Sequence, residues 1–198
     1  QHIKMLTGFL LDRLMQKTDK YDLKWSDQYM ITIASALHDI GKVGIDEKIL
    51  NKPGRLTKEE FEEMKKHTLI GASMLKSLGV YQNEELVKVA YQICRWHHER
   101  WDGKGYPRGL KGEEIPEEAR IIAVADAYDA MTSNRSYRKA LTQDRVHDEI
   151  LNGIGRQFWP PAARAMLKMM DQDIHYDMRQ KNDESSQNDE QKYEYGIS

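Results

Sequence analysis

Apolar residues recur at helical spacing through most of the chain, and runs that alternate in the manner of β-strands are almost absent. The apolar positions that mark four successive helices are Ile3, Leu6, Leu10 and Leu14, then Tyr29, Ile33 and Leu37, then Phe61, Met64, Ile70, Met74 and Leu78, and then Leu86, Ala90 and Ile93. The pattern therefore predicts an all-α protein, organised as a helical bundle.

Several helix boundaries can be located from capping residues. Thr57 with Glu60 forms a capping box, and the helix that it begins is expected to stop at Gly79. Further helices are expected from Asn83, from Pro116 to about Thr132, from Thr142 to about Gly153, and from Pro160 through Met169.

The pair His38-Asp39 stands at the end of an apolar helical run that starts near Ser26. We interpret Gly41 as the glycine that ends this helix, which places His38 and Asp39 in its last turn. A histidine and a carboxylate on adjacent helical positions can line one site and suit zinc, iron or manganese. For an isolated pair, a capped helix end with a structural histidine explains the pattern as well.

The length of 198 residues indicates one domain, which we place at residues 1–176, followed by a polar and flexible tail at residues 177–198. A terminal helical extension is the alternative for the tail. The net charge of -2 gives no basic field for a nucleic-acid polymer, and no apolar run suits membrane insertion. The single cysteine, Cys94, fits a reducing cytoplasm. Because the chain begins at Gln1, we interpret it as part of a longer protein.

Histidines and aspartates at apolar helix positions are the main indication of chemistry. The six residues of this kind are His38, Asp39, His67, His97, His98 and Asp126. Buried carboxylates without partners are costly, so a metal explains the group better than six separate structural roles. Six ligands suggest two metals that share a carboxylate, for which Asp39 is the natural bridge.

Residues 99–116 form a glycine-rich stretch, which we call the glycine loop. Four glycines let its backbone approach a ligand closely, and Trp101 and Tyr106 offer rings for stacking on a base. Its basic side chains are Lys104, Arg108 and Lys111, which could bind phosphate. An ordinary solvated surface loop has the same composition, and composition alone does not separate the two.

Residues 36–159 resemble the HD-GYP family, a branch of the HD metal-dependent phosphohydrolases. The resemblance rests on an ordered series of short motifs. They are His38-Asp39-Ile40-Gly41-Lys42, Lys52-Pro53-Gly54-Arg55-Leu56-Thr57, His67, His97-His98-Glu99, Trp101-Asp102-Gly103, Gly105-Tyr106-Pro107, Ala119-Arg120-Ile121, Ala125-Asp126 and Arg135-Ser136-Tyr137-Arg138.

The resemblance implies an HD-domain bundle that hydrolyses cyclic di-GMP to pGpG, and further to GMP, at a centre of two or three metals, commonly iron or manganese. It implies metal ligands at His2, His38, Asp39, His67, His97, His98 and Asp126. By the same match, Asp39 and Lys42 act in catalysis, and Lys42 lies near the scissile phosphate. Arg135 and Arg138 match residues that bind substrate phosphates, and Tyr106 lies in the Gly-Tyr-Pro signature.

The chain departs from the family pattern at two places. A glutamate that members with three metals use would precede Gln1, and Trp159 replaces the acid of the usual Phe-Asp-Pro. We expect Trp159 to affect packing and not a ligand. His147 and His175 match nothing and are expected on the surface, and Asp129 is expected to support the site from one turn beyond Asp126.

Two other functions remain open at this point. One is hydrolysis of another nucleotide, such as cyclic GMP-AMP or a nucleoside monophosphate, and the other is a nucleotide-binding effector that has lost hydrolysis. The expected partners are a cyclic dinucleotide, an N-terminal sensor or receiver domain outside this chain, and a second copy in a homodimer. The expected location is the cytoplasm.

Overall fold

The structure is a computed structural model that describes residues 2–16, 24–134 and 139–172. Within these ranges the chain forms helices and one isolated bridge between Ile154 and Phe158, with no named strand. The α-helices are α1 (His2–Met15), α2 (Trp25–Ala34), α3 (Glu47–Leu50), α4 (Lys58–Lys65), α5 (His67–Lys76), α6 (Glu85–Trp96), α7 (Glu117–Thr132), α8 (Gln143–Gly153) and α9 (160–172). The predicted all-α fold is confirmed.

Most of the predicted capping residues act as expected. The Thr57 hydroxyl accepts the amide hydrogen of Glu60, whose carboxylate accepts that of Thr57, so the capping box is present. Gly79 follows α5 with φ 58°, a conformation that glycine adopts without strain. Pro116 and Thr142 precede α7 and α8 as predicted.

Two predicted boundaries are wrong. The long helix expected between Thr57 and Gly79 divides at Lys66, which lies between α4 and α5. The amide of Lys66 donates to Glu63, a tighter turn than the α-helix, and His67 begins the next helix. Asn83 does not cap α6, because residues Gly79–Asn83 form a 3-10 turn and Glu84 takes the cap position.

The segment that carries His38 and Asp39 also differs from the prediction. Helix α2 ends at Ala34 and continues as a 3-10 turn over Ser35–Leu37, and a second 3-10 turn covers Ile40–Gly44. Gly41 therefore does not end an α-helix, and it is not among the glycines with positive φ. It is small because a Cβ there would lie 1.9 Å from the carbonyl oxygen of His67.

Helix α6 lies at the centre of the bundle, where it packs against α2, α5 and α7. Helix α1 packs against α2 and α7, and the 3-10 turn Ile40–Gly44 packs against α5. The largest fully buried apolar side chains are Leu10, Leu11, Ile93, Ile115, Ile121, Ile122, Val124, Ile150, Phe158 and Met166. This core holds α6 against α7, the helix that carries Asp126.

No helix in the described ranges is long and apolar enough to cross a bilayer. The predicted tail at residues 177–198 lies outside the described residues, as do Arg135, Arg138 and His175. The division between residues 1–176 and 177–198 therefore stays a prediction.

Candidate metal centre

Six of the seven predicted metal ligands come from four segments that meet beside α6. His38 and Asp39 lie between the two 3-10 turns, His67 begins α5, and His97 and His98 follow α6. Asp126 projects from α7. We call these six residues the histidine–aspartate cluster. In four of them, namely Asp39, His67, His97 and His98, ligand atoms all lie within 4.8 Å of one another.

Backbone carbonyl groups orient three of the histidines. In each, Nδ1 contacts a carbonyl oxygen three or four residues earlier: Ser35 for His38 (2.8 Å), Met64 for His67 (2.7 Å) and Ile93 for His97 (2.9 Å). A neutral imidazole that donates from Nδ1 presents a lone pair on Nε2. The Nε2 atoms are therefore the ones available to a metal, which is the usual arrangement for a metal-ligating histidine.

Asp39 stands between two groups of side chains. Its Oδ1 lies 3.5 Å from His67 Nε2 and 3.9 Å from His97 Nε2. Its Oδ2 lies 3.2 Å from His38 Nε2 and 2.6 Å from Lys42 Nζ. The two oxygens of one carboxylate thus face different histidines, as a bridging carboxylate requires. His38 Nε2 also lies 3.5 Å from Asp126 Oδ1, which joins Asp126 to the cluster.

The cluster contains buried polar atoms that no other described residue satisfies. Asp39 Oδ1, His67 Nε2 and His97 Nε2 are buried and have no hydrogen-bond partner among the described residues. Leaving such an atom unpaired costs about 1–3 kcal/mol, so these atoms need a partner. Lone pairs of imidazole nitrogen and carboxylate oxygen that face one another fit a transition-metal cation.

The protonation of the cluster also suits a cation. Burial lowers the pKa of His97 to about 4 and lowers the pKa of His67, so both are neutral at pH 7. Burial opposes ionisation of Asp126, but its contact with His38 lowers its pKa to about 2. Burial would lower the pKa of His38, yet Asp126 and Asp39 raise it to about 10. A metal cation can take the place of the proton that these carboxylates favour on His38.

The remaining predicted site residues have different surroundings. His2 is half exposed, and its Nδ1 contacts Asp129 Oδ1. It makes no described contact with the four closely spaced ligands. The Tyr106 ring stacks on His98 at 4.8 Å between centroids. Arg135 and Arg138 lie outside the described residues.

Glu99 has a structural role that the sequence analysis missed. Its side chain is buried, and its two oxygens accept three consecutive backbone N–H groups, from Arg108 (2.7 Å), Gly109 (3.1 Å) and Leu110 (2.9 Å). These hydrogen bonds join residues 108–110 of the glycine loop to Glu99, its first residue, which directly follows His98. The position of Glu99 directly after His97-His98 is the one feature of the sequence that indicates a role near the site. Its partners are backbone N–H groups, which a pattern of residue types cannot predict.

Trp159, which stands where the family pattern has an acid, is buried in the core. The guanidinium carbon of Arg120 lies 5.2 Å from the Trp159 ring centroid and 5.6 Å from that of Trp101. A cation over an aromatic face is attracted by the ring quadrupole. The departure therefore concerns packing around Arg120.

The fold and the cluster together define a helical domain with a partly buried group of histidine and aspartate side chains that could hold a metal ion. Residues 10–180 match the family model described as "HD domain", and the chain belongs to that family. The predicted relationship is thereby confirmed.

Curated relatives carry related names. The chain is 44% identical over 158 residues to a cyclic di-GMP phosphodiesterase of Thermotoga maritima, covering 80% of this chain and 42% of the relative. It is 50% identical over 136 residues to the Pseudomonas aeruginosa cyclic di-GMP phosphodiesterase PA4108, covering 69% and 31%. It is 40% identical over 154 residues to the 3'3'-cGAMP-specific phosphodiesterase 2 of Vibrio cholerae, covering 78% and 29%.

Solved structures support the fold. The HDG"Y"P protein Bd1817 of Bdellovibrio bacteriovorus matches with a TM-score of 0.62 at 18% identity, over 86% of this chain and 50% of that one. The chain thus spans half or less of the length of each of these relatives.

Proposed function

We propose that this domain is a metal-dependent phosphodiesterase that hydrolyses cyclic di-GMP to linear pGpG, and further to GMP. The observation that carries the proposal is the set of buried, unpaired Nε2 and Oδ1 atoms that face one another in the histidine–aspartate cluster. The names of the curated relatives support the choice of a cyclic dinucleotide as substrate.

The proposed cofactor is a pair of transition-metal ions, with iron or manganese as the candidates. Asp39 would bridge them, because each of its oxygens faces different histidines. The other proposed ligands are His38, His67, His97, His98 and Asp126, and His2 is assigned as a further ligand by the family resemblance alone. Bound ions of this kind act as Lewis acids towards phosphoryl oxygens and lower the pKa of water.

The substrate contacts in the proposal come from residues around the cluster. Lys42, whose ammonium group is already 2.6 Å from Asp39 Oδ2, would bind the scissile phosphate and steady the leaving oxygen. Tyr106, whose ring stacks on His98, would contact the substrate from the glycine loop. Arg135 and Arg138 would bind the substrate phosphates, which rests on the motif match.

The proposal places the enzyme in residues 1–176, within a cytoplasmic protein whose sensor or receiver domain precedes this chain, and it includes a homodimer. Hydrolysis of 3'3'-cyclic GMP-AMP is the second candidate activity. It is favoured by the relative of V. cholerae that is named for this substrate and is 40% identical to the chain.

The test combines metal analysis with hydrolysis assays on one purified sample. We expect about two ions per chain by elemental analysis, following the ligand count, and conversion of cyclic di-GMP to pGpG and GMP. Faster turnover of cyclic GMP-AMP would favour the second activity. Bound metal with tight nucleotide binding and no hydrolysis would favour an inactive effector, and no metal after growth with iron or manganese would refute the proposal.

A histidine outside the cluster provides a matched control. We expect His67→Ala to lower metal content and activity together, because His67 Nε2 faces Asp39. His147→Ala changes a partly exposed histidine of α8 and is expected to retain both. Equal losses in the two variants would point to a general effect on folding.

A further inference from the structure

A cavity of about 370 Å³ adjoins the histidine–aspartate cluster. His97, His98 and Asp126 line one part of it, and Phe61 and Tyr106 line another. Small-molecule sites usually have volumes of about 300–1,000 Å³, so the cavity can hold part of a nucleotide. A ligand whose phosphate lies at the cluster would place its neighbouring groups in this cavity.

Two aromatic rings of this cavity differ in how much of their surface is already used. The Tyr106 ring stacks on His98 with an interplanar angle of 26°. The Phe61 ring meets Tyr106 edge to face, with centroids 6.0 Å apart, and Phe61 is 45% exposed. Phe61 therefore has the greater free ring surface, although Tyr106 belongs to the sequence motif.

A single exposed phenylalanine is common on protein surfaces and needs no explanation. Phe61 differs from such a residue because it lines a cavity that also reaches the candidate metal ligands. Phe61 lies on α4, and the last residue of this helix stands two positions before His67. A base stacked on Phe61 would thus be held by the element that leads directly into the cluster.

Lys65 follows Phe61 by one helical turn and shares its face of α4. Its Nζ lies 5.5 Å from the Phe61 centroid and 5.7 Å from the Tyr106 centroid, and it pairs with Glu62 Oε1 at 2.7 Å. The Glu62 carboxylate thus holds the ammonium group over the two rings. Guanine presents two acceptors on one edge, O6 and N7, whereas adenine has a donor in place of O6.

We propose that Phe61 and Lys65 form a purine-binding subsite that favours guanine over adenine. Phe61 stacks on the base, and Lys65 donates to the O6 and N7 edge while the adjoining phosphate lies at the histidine–aspartate cluster. The proposal rests on the proposed function, for which it names the residues that recognise the base.

The first experiment compares two substrates in three variants of the metal-loaded protein. Phe61→Leu keeps apolar bulk and removes the ring, so we expect its KM for cyclic di-GMP to rise at least about fivefold, as for a lost stacking contact. Turnover of bis(p-nitrophenyl) phosphate and metal content should stay unchanged. Phe61→Tyr should restore KM, and Leu78→Ala, at a residue 44% exposed, is the control. Equal losses on both substrates, or an unchanged KM, would overturn the stacking role.

The second experiment measures binding and does not require hydrolysis. We expect the wild type to bind GMP at least about fivefold more tightly than ribose 5-phosphate, with the difference lost in Phe61→Leu. Lys65→Met should weaken binding of GMP more than that of AMP. Equal binding of GMP and ribose 5-phosphate by the wild type would overturn the subsite. Base-dependent binding without hydrolysis of cyclic di-GMP would overturn the proposed function alone.

Discussion

The histidine–aspartate cluster and the glycine loop lie side by side, yet they differ in whether their buried polar groups have hydrogen-bond partners. In the cluster, Asp39 Oδ1 and two imidazole nitrogens are buried without a hydrogen-bond partner among the described residues. In the loop, the buried Glu99 carboxylate accepts three backbone N–H groups. Within the described residues the Glu99 carboxylate is satisfied by the chain itself, whereas the buried atoms of the cluster face one another in an arrangement that could hold a metal ion.

The contrast between the two regions indicates which buried groups bind a ligand. A buried polar group that is satisfied by the chain rigidifies the structure, and one that is left unsatisfied is costly unless something else binds it. The glycine loop contains the Gly-Tyr-Pro signature, but the contacts of Tyr106 hold the loop against His98. Substitutions in the cluster and in the loop test this contrast.

The largest effect is expected from Asp39→Ala. Because its two oxygens face different histidines, we expect loss of both metal ions together and a fall in phosphodiesterase activity of roughly 10²–10³-fold or more. Elemental analysis and initial rates on the same sample check this. Asp171→Ala, an exposed carboxylate of α9, is the control. Retention of one ion would contradict the bridging role.

Gly41→Ala should move His67 of the cluster away from His38 and Asp39. The new Cβ would lie 1.9 Å from the His67 carbonyl oxygen and 2.5 Å from the Gly71 nitrogen, so α5 would have to move. We expect a loss of unfolding free energy of about 3 kcal/mol, with reduced metal content. Gly8→Ala, whose Cβ would meet Thr32 at 3.9 Å, is the control. Denaturation curves and metal analysis measure both, and a stable variant with full metal would contradict the prediction.

In the glycine loop, Glu99→Gln keeps the shape of the side chain and removes its charge. An amide has one accepting oxygen, so at least one of the three N–H groups would lose its partner, which should cost about 2 kcal/mol. Thermal unfolding measures the loss. Glu114→Gln, at an exposed position that accepts the Lys111 amide, should cost much less. Equal costs would mean that burial of Glu99 does not matter.

The smallest effect is expected at Asp102, which accepts from Arg100 Nε and Nη2 at 3.1 and 2.8 Å. The hydrogen bonds from Arg100 lower the pKa of Asp102 to about 2, against 3.8 ordinarily. A carboxylate with a lowered pKa adds stability above its ordinary pKa, and this is lost as pH falls from about 4 towards 2. For this solvated pair we expect Asp102→Asn to lower the free energy of unfolding by less than about 1 kcal/mol at pH 7, and by less still near pH 2, where the folded protein is about half protonated at Asp102.

Local signals in the sequence were sufficient for much of the fold. The capping box at Thr57, the turn at Gly79 and the starts of α7 and α8 depend on neighbouring residues, and the structure confirms them. The candidate ligands could also be selected, because histidines and aspartates at apolar helix positions are unusual.

Features that depend on contacts between distant segments could not be predicted in the same way. The role of Gly41 comes from the close approach of α5, and the role of Glu99 comes from backbone groups about ten residues later. The division at Lys66 turns His67 towards Asp39, and helical periodicity continues across it without a sign of the break. His2 has the spacing of a ligand in the family pattern, but its described partner is Asp129.

The carbonyl groups that orient the histidines belong to helix ends. Met64 and Ile93 lie in the last turns of α4 and α6, and Ser35 lies in the 3-10 turn that follows α2. Carbonyl groups near a helix end have fewer N–H partners than those in its middle, and the Ser35 and Ile93 oxygens also accept the backbone N–H of His38 and His97. Each imidazole therefore closes a helix terminus with one nitrogen and faces the cluster with the other. Fraying of any one terminus would release a ligand, so occupancy of the centre should slow amide hydrogen exchange at all three ends in concert.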